Sequence, residues 1–307
     1  IIMIKNIFEA SKNISPYIKN TPLELNERLS KKYNCNLFIK REDLQLCRSF
    51  KIRGALNKII GLNDKQKKKG IVCASAGNHA QGVAYTSNIL KIKSDIFLPN
   101  NTPLQKINRI KYYSNPDLCK IHLIGNSFNE CLDEALFNRQ VNNSTFIHPY
   151  NDMDVIYGQG TIADEIYNQF NPNIIIGCLG GGGLMSGISI YSKNYNNNIF
   201  VNNNNNCRII GVEPESCPSM KLSVENNNII ELQPKDHFVD GATVGKVGDI
   251  TYDICKNYID DFYYVSNGKI CETMVELYQD DGIISEPAGA LSLSVLDSIK
   301  RDELVKQ

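Results

Sequence analysis

Four consecutive glycines, Gly180 to Gly183, constrain the fold more than any other feature of this 307-residue sequence. They follow the apolar run Ile174–Leu179 and lead into a helical segment from Met185 to Ser192. A strand, a glycine loop and a helix start form a cradle for an anion, because backbone N–H groups reach a phosphate with no Cβ in the way. A tight strand–helix turn is the alternative, but it needs fewer glycines. We therefore predict a phosphate site at Gly180, Gly181, Gly182, Gly183 and Leu184.

The glycine loop matches neither G-x-G-x-x-G nor a Walker loop, and no G-K-[ST] follows it. Neither a dinucleotide nor a nucleoside triphosphate is therefore the natural ligand. The segment Ser49-Phe50-Lys51-Ile52-Arg53 places a lysine beside an aromatic residue, which alone is more typical of a solvated basic turn. An amine of lowered pKa forms a Schiff base with an aldehyde, and pyridoxal phosphate (PLP) carries both an aldehyde and a phosphate. Lys51 together with the glycine loop predicts PLP as the cofactor.

A third segment, Ser75-Ala76-Gly77-Asn78-His79, follows the apolar run Gly70–Ala74 and opens a helix. Serine and asparagine before a helix are common N-caps, which is the simpler interpretation. A second helix N-terminus with free N–H groups is also suited to a substrate carboxylate. His79 taken alone is as typical of a packed helix residue as of a catalyst.

Short apolar runs alternate with amphipathic segments along the chain, which predicts βαβ units and parallel sheets. The predicted strands are Leu37–Lys40, Gly70–Ala74, Asp95–Leu98, Lys120–Ile124, Ile174–Leu179, Arg208–Glu213 and Phe262–Val265. The predicted helices are Asn78–Leu90, Gln105–Tyr113, Phe128–Phe137, Gly158–Asn168 and Val247–Asn257. We expect an α/β fold of two lobes, each with a twisted, mostly parallel sheet flanked by helices, and the cofactor in the cleft between them. The asparagine tracts at Asn196–Asn198 and Asn202–Asn206 are expected to form a solvated loop.

Composition argues against several classes of function. Lys+Arg and Asp+Glu both number 33, so a zero net charge gives no reason to expect nucleic acid or an anionic membrane. No apolar run approaches the ~20 residues that span a bilayer, and no signal peptide is evident. The ten cysteines form no C-x-x-C pair and the four histidines are scattered, so we expect reduced thiols and no metal cluster. A cytoplasmic location is expected, or an organelle if the host is eukaryotic and an import peptide precedes the sequence.

At these three segments the sequence resembles the β-family (fold type II) of PLP enzymes and, more closely within it, the biosynthetic threonine dehydratases. The resemblance covers nearly the whole chain and includes the motifs Thr21-Pro22-Leu23, Lys40-Arg41-Glu42-Asp43-Leu44-Gln45, Gly158-Gln159-Gly160-Thr161, Gly211-Val212-Glu213-Pro214, Val239-Asp240-Gly241-Ala242 and Glu286-Pro287-Ala288-Gly289-Ala290. It implies a large PLP domain of 1–62 plus 152–307 and a small domain of 63–151.

The resemblance also implies a role for each site residue. Lys51 would bond the cofactor aldehyde, and Asn78 would bond its phenolic oxygen. The phosphate would lie on Gly180 to Leu184, with Phe50 beside the ring and Gly241 at the cofactor edge. The residues implied for the substrate carboxylate loop are Ser75, Ala76, Gly77 and His79.

The implied reaction converts L-threonine to 2-oxobutanoate and ammonia, and L-serine to pyruvate, as the first step towards isoleucine. Lys51 would remove the Cα proton, and the enzyme would be a homo-oligomer. The alternatives are a related serine dehydratase or racemase and, in another class, a non-catalytic PLP-fold protein that binds amino acids. Racemases resemble one another in a serine where this chain has Ala76, which favours elimination.

The sequence departs from the family at several positions. A C-terminal serine in S-G-G-N, which faces the pyridine nitrogen in relatives, is absent before Gln307, and so is the regulatory domain of long threonine dehydratases. The chain therefore looks truncated. Tyr150 stands where racemases have an asparagine. Glu213 matches an acidic residue of the racemase cation site, but Ser219 replaces the second carboxylate, so no metal is expected there.

Overall fold

The structure is a computed structural model that describes residues 2–195, 207–300 and 304. The predicted loop of the asparagine tracts lies outside these residues. The α-helices are α1 (Ile2–Ile14), α2 (Glu27–Tyr33), α3 (Lys51–Ile60), α4 (Asp64–Lys69), α5 (Asn78–Leu90), α6 (Leu104–Tyr113), α7 (Phe128–Asn142), α8 (Met153–Tyr167), α9 (Gly183–Tyr195), α10 (Ser219–Glu225), α11 (Asp249–Tyr258), α12 (Asn267–Asp281) and α13 (Pro287–Ser294). No helix of the described part is long and apolar enough to cross a membrane.

The strands form two parallel sheets and one short antiparallel ladder. They are β1 (Leu23–Leu25), β2 (Phe38–Lys40), β3 (Ile71–Ala74), β4 (Ser94–Leu98), β5 (Cys119–Leu123), β6 (Thr145–Phe146), β7 (Ile174–Cys178), β8 (Arg208–Pro214) and β9 (Asp261–Val265). The four-stranded sheet has the order β5-β4-β3-β6, the three-stranded sheet has the order β7-β8-β9, and β1 pairs with β2. All pairs within the two larger sheets are parallel, so the predicted α/β class is confirmed.

Each of the two predicted helix-start segments follows the carboxyl end of a strand. Strand β3 is buried at all four positions and leads through 75–77 into α5. Strand β7 leads through the glycines into α9. A strand buried on both faces is typical of a parallel sheet covered by helices, and ligands of such folds bind beyond the carboxyl ends of the strands. Each segment therefore lies beyond the carboxyl end of its own sheet, where ligands of such folds bind.

Several element bounds differ from the sequence prediction for local reasons. Helix α5 has the predicted bounds. Helix α8 begins before the predicted Gly158, because the Asp152 side chain accepts hydrogen bonds from the N–H groups of Asp154 and Val155 and caps the helix at that point. Helix α7 continues beyond Phe137 to Asn142, where Asn143 takes the left-handed conformation that ends helices. Strands β1 and β6 were not predicted, because they are too short to show a period.

The strands of the four-stranded sheet all lie within 63–151, and those of the three-stranded sheet all lie within 152–307. The domain boundaries themselves stay a prediction. Helix α3 packs on α5 and on α8, so it lies between the two sets of elements. Glycines allow both contacts. A Cβ on Gly82 of α5 would lie 3.1 Å from Ile52 Cα, and a Cβ on Gly158 of α8 would lie 2.5 Å from Arg53 O. The backbone of α3 therefore packs directly against the backbones of α5 and α8.

A buried ion cluster also fixes α3 on its α8 side. The Arg53 side chain is 0% exposed, and its five N–H donors are satisfied by Glu42, Glu165 and Thr161 at 2.7–3.1 Å. Lys40 adds a second cation, with its Nζ 2.6 Å from Glu165 Oε2. Burial disfavours the guanidinium charge, but the two carboxylates outweigh this and raise the pKa of Arg53. The cluster ties α3 to α8 and to the segment after β2.

Replacing Arg53 with Met is expected to lower the free energy of unfolding by about 3–5 kcal/mol, because two largely buried carboxylates lose their common partner. Urea unfolding followed by circular dichroism would measure the change. Arg139→Met, at an exposed position of α7, is the control and is expected to change stability little. A loss at Arg53 no larger than that of the control would show that the cluster does not stabilise the fold.

Candidate active site

Lys51 is the first residue of α3, and its amine is held among protein groups. The Nζ atom donates a hydrogen bond to Pro149 O at 2.9 Å and lies 5.4 Å from the centre of the Phe50 ring. Burial lowers the pKa of Lys51 to about 8, and Cys178 and Glu286 partly oppose that change. Desolvation destabilises the ammonium form, so an appreciable fraction of the amine is neutral near physiological pH. This state suits a nucleophile that attacks an aldehyde.

The glycine loop follows β7 in a conformation that excludes side chains. Gly182 has a φ of +88°, in the left-handed region that favours glycine. A Cβ on Gly181 would lie 2.3 Å from the Tyr150 ring, and a Cβ on Gly183 would lie 3.0 Å from Tyr150 Cα. The Ser186 N–H donates to Gly182 O at 2.8 Å, and the preceding N–H groups of the first turn have no intrahelical acceptor. The loop therefore has the backbone geometry of an anion site.

The segment His148-Pro149-Tyr150 connects Lys51 to the glycine loop. Pro149 accepts the hydrogen bond from Lys51, and the Tyr150 ring covers the glycines. The hydroxyl of Tyr150 donates to Lys246 O at 3.1 Å, and burial raises the pKa of Tyr150 to about 12, so it remains a neutral phenol. His148 Nδ1 accepts from the N–H groups of Tyr150 and Asn151 at 3.2 and 2.8 Å. From the sequence, Tyr150 was noted only as the residue that replaces an asparagine of the racemases. In the structure it packs beside the glycine loop.

Asn78 begins α5 and contacts a residue to which the sequence assigned no role. Its Nδ2 donates to Glu286 Oε1 at 2.8 Å and Oε2 at 3.1 Å. Glu286 is exposed as a residue, but desolvation of its carboxylate raises its pKa, while the hydrogen bond from Asn78 opposes that rise. Gly241 lies against the same group, since a Cβ there would be 3.8 Å from Glu286 Oε1. The only signal for Glu286 was its place in the motif that starts α13.

The predicted carboxylate loop divides into an open part and a buried part. A Cβ on Gly77 would meet no atom within 4 Å, and the Gly77 N–H donates to Ser75 Oγ at 3.3 Å. Ser75 and Ala76 are partly exposed. His79, by contrast, is 2% exposed, and its Nε2 donates to Ile147 O at 2.8 Å. Burial and the charge of Lys51 lower the pKa of His79 to about 3, so His79 is neutral near pH 7. The roles of these residues towards a substrate stay predictions.

The residues that match the racemase cation site form a different arrangement here. Glu213 is 0% exposed and accepts hydrogen bonds from the N–H groups of Met220 and Lys221 at 2.8 and 2.7 Å. The Ser219 hydroxyl donates to Val244 O at 2.6 Å. Burial raises the pKa of Glu213 to about 8. Within the described residues, Glu213 therefore holds the start of α10, and no group of three or more His, Cys, Asp or Glu side chains is arranged for a metal.

The residues present fit PLP. The Lys51 amine suits an aldehyde, and the backbone of the glycine loop suits a phosphate. Both meet the segment Pro149–Tyr150, so one ligand with both groups accounts for their proximity. Cys178, the last residue of β7, and Lys51 each act on the pKa of the other, so the strand end lies within electrostatic range of the lysine.

Comparison with known proteins gives an independent result. A sequence model described as pyridoxal-phosphate dependent enzyme matches residues 14–307. The L-threonine dehydratase biosynthetic IlvA of Staphylococcus epidermidis is 46% identical over 306 residues, which are 98% of this chain and 70% of that protein.

Two solved structures are similar to this chain over most of its length. The processed form of threonine deaminase isoform 2 from Solanum lycopersicum is 33% identical with a TM-score of 0.87, over 95% of this chain and 78% of that one. Maize serine racemase is 31% identical with a TM-score of 0.88, over 95% of this chain and 85% of that one. Because the match to the family covers nearly the whole chain and the site carries the amine and the glycine loop that its cofactor requires, this chain belongs to the pyridoxal-phosphate-dependent enzymes of fold type II, in the group of the biosynthetic threonine dehydratases.

Proposed function

We propose that this chain dehydrates and deaminates L-threonine to 2-oxobutanoate and ammonia, and that it converts L-serine to pyruvate in the same way. The observation that carries the proposal is the Lys51 amine, hydrogen-bonded to the segment that covers the glycine loop. The names of the Staphylococcus and Solanum relatives support threonine as the substrate. On this basis the chain acts in isoleucine biosynthesis.

The site residues take the following roles in this proposal. Lys51 would hold the cofactor through its aldehyde, and the backbone of Gly180, Gly181, Gly182, Gly183 and Leu184 would hold its phosphate. Phe50, Asn78 and Gly241 would complete the cofactor site. The substrate carboxylate lies at the start of α5, where the lining residues are Ser75, Ala76, Gly77 and His79. The cleft between the domains 63–151 and 1–62 plus 152–307 encloses both.

The chemistry then follows from the state of each group. When bound, PLP supplies an electron sink for the pair left at the substrate Cα. Lys51, once its amine is free and neutral, takes the Cα proton, and its low pKa makes the neutral form available. The N-terminus of α5 favours the substrate carboxylate by its N–H groups and dipole. The Tyr150 ring packs against Gly181 of the glycine loop.

Assembly as a homo-oligomer and a cytoplasmic location are further proposals that rest on the resemblance. A serine racemase activity is the second candidate, favoured by the structural likeness to the maize enzyme. Ala76 argues against it, because a methyl group carries no proton to the opposite face of the substrate.

Gly181→Ala is expected to weaken PLP binding about tenfold, because the new Cβ would displace the Tyr150 ring and overpacking costs about 1–3 kcal/mol. Equilibrium dialysis would measure the dissociation constant. Gly268→Ala is the matched control, since a Cβ there meets nothing within 4 Å. Equal affinity in both variants would contradict the assignment of the loop.

Lys51→Ala is expected to lower the rate of 2-oxobutanoate formation from L-threonine by at least about a thousandfold, because both the covalent attachment and the proton acceptor are lost. The visible absorbance that PLP gains on bonding to the protein should also disappear. Lys65→Ala, at an exposed position of α4, should retain both. Substantial turnover in the Lys51 variant would refute the proposed mechanism.

Incubation with L-serine is expected to give pyruvate without D-serine, since Ala76 leaves Lys51 as the single base of the site. Chiral chromatography would detect the enantiomers, with the maize racemase as positive control. Formation of D-serine at a rate comparable to that of pyruvate would favour the second candidate.

A further inference from the structure

Glu286 touches the predicted site but had no predicted function. It is the residue before α13, a position at which an acidic side chain commonly caps its own helix. The structure records no such side-chain cap. Both carboxylate oxygens instead accept from Asn78 Nδ2, across 208 positions of the sequence. The carboxylate is therefore directed at the site and away from the helix that it precedes.

The contact with Asn78 fixes the orientation of an amide. Because both Glu286 oxygens can only accept when the carboxylate is ionised, they select the donating end of the amide, and Asn78 Oδ1 points the other way. Gly241 lies near the same oxygen, since a Cβ there would be 3.8 Å from Glu286 Oε1. Glu286 is thus bonded to one residue assigned to the cofactor under the proposed function and lies near another.

Glu286 also acts on Lys51 through its charge, and each group shifts the pKa of the other. Cys178 acts on Lys51 as well, but burial raises the pKa of its thiol to about 11, so the thiol keeps its proton near pH 7. Burial lowers the pKa of His79 to about 3 and that of His148 to about 4, so neither ring is charged at that pH.

Asp240 forms an ion pair with Lys106, a residue of α6. That pairing offsets the charge of Asp240. Both groups act on the pKa of Glu286, in opposite directions, while the causes of the lowered pKa of Lys51 include neither. Glu286 is therefore the carboxylate that acts on the Lys51 amine.

We propose that Glu286 is a positioning residue for the reaction: its carboxylate holds the donor end of Asn78 in a fixed direction and adds a negative charge to the surroundings of Lys51. The proposal rests on the proposed function only for the identity of the reaction. The hydrogen bond to Asn78 and the charge of Glu286 do not require threonine to be the substrate.

Two substitutions separate the two effects. Glu286→Gln removes the charge and keeps one oxygen to accept from Asn78. Glu286→Ala removes both the charge and the acceptor. Glu272→Gln, at an exposed carboxylate of α12, is the matched control. Near-ultraviolet circular dichroism of each variant checks the fold, and the isosteric Gln variant carries the test of charge on its own.

The first readout is the pH dependence of acylation of Lys51 after removal of PLP, quantified by mass spectrometry of the Lys51 peptide. Loss of a neighbouring anion removes attraction for the ammonium, so the labelling midpoint should fall by about one pH unit in Glu286→Gln and in Glu286→Ala. The midpoint should not move in Glu272→Gln. An unchanged midpoint in the Gln variant would overturn the electrostatic part of the proposal.

The second readout is the dissociation constant of PLP from the full-length holoenzyme. Glu286→Ala should weaken binding about tenfold, because the Asn78 amide loses its hydrogen-bond acceptor, and Glu286→Gln should retain affinity within about threefold. Equal affinity of the Ala variant and the wild type would overturn the orienting part. Neither readout uses threonine, so an enzyme that binds PLP but leaves threonine unchanged would refute the proposed function and leave this test intact.

Discussion

Arg53 is a cation with no exposed surface, and the position of the active site depends on how it is neutralised. Its planar guanidinium engages Glu42 and Glu165 in paired hydrogen bonds, which compensates the cost of burying the charge. Lys51 lies two residues earlier on the same helix. An error in the cluster would therefore move the reactive amine, whose function requires a placement within fractions of an ångström. The ion cluster acts on catalysis through geometry and makes no contact of its own with Lys51.

Around the amine, the protein combines strong desolvation with a restricted set of charges. The buried His79 and the partly buried His148 lie near Lys51, yet both are held neutral by desolvation and by the charge of the lysine. Pro149 offers a carbonyl dipole, and Glu286 offers the nearby carboxylate. This balance lowers the pKa of Lys51 to about 8, so the amine is available both as a nucleophile and as a base. A second ionised acid nearby would raise that value and reduce both capacities.

The sequence predicted the parts of the site that are determined locally. The glycine loop, Lys51 before its helix and the bounds of α5 follow from residues adjacent in the chain. Tyr150 and Glu286 act through contacts between distant segments, and no periodicity or cap signal reports such contacts. His79 was equally consistent with core and catalyst, and only its hydrogen bond to Ile147 places the ring in the core. Domain boundaries and the roles of the cofactor-facing residues remain predictions.

Helix α3 meets its neighbours where glycine removes the side chains, at Gly82 on α5 and at Gly158 on α8. Because no side chain separates the helix backbones at these two points, the backbones themselves set the spacing between α3 and each neighbour. A side chain at either position would push the helices apart. Since Asn78 begins α5 and Lys51 begins α3, a wider spacing at Gly82 would also separate these two residues.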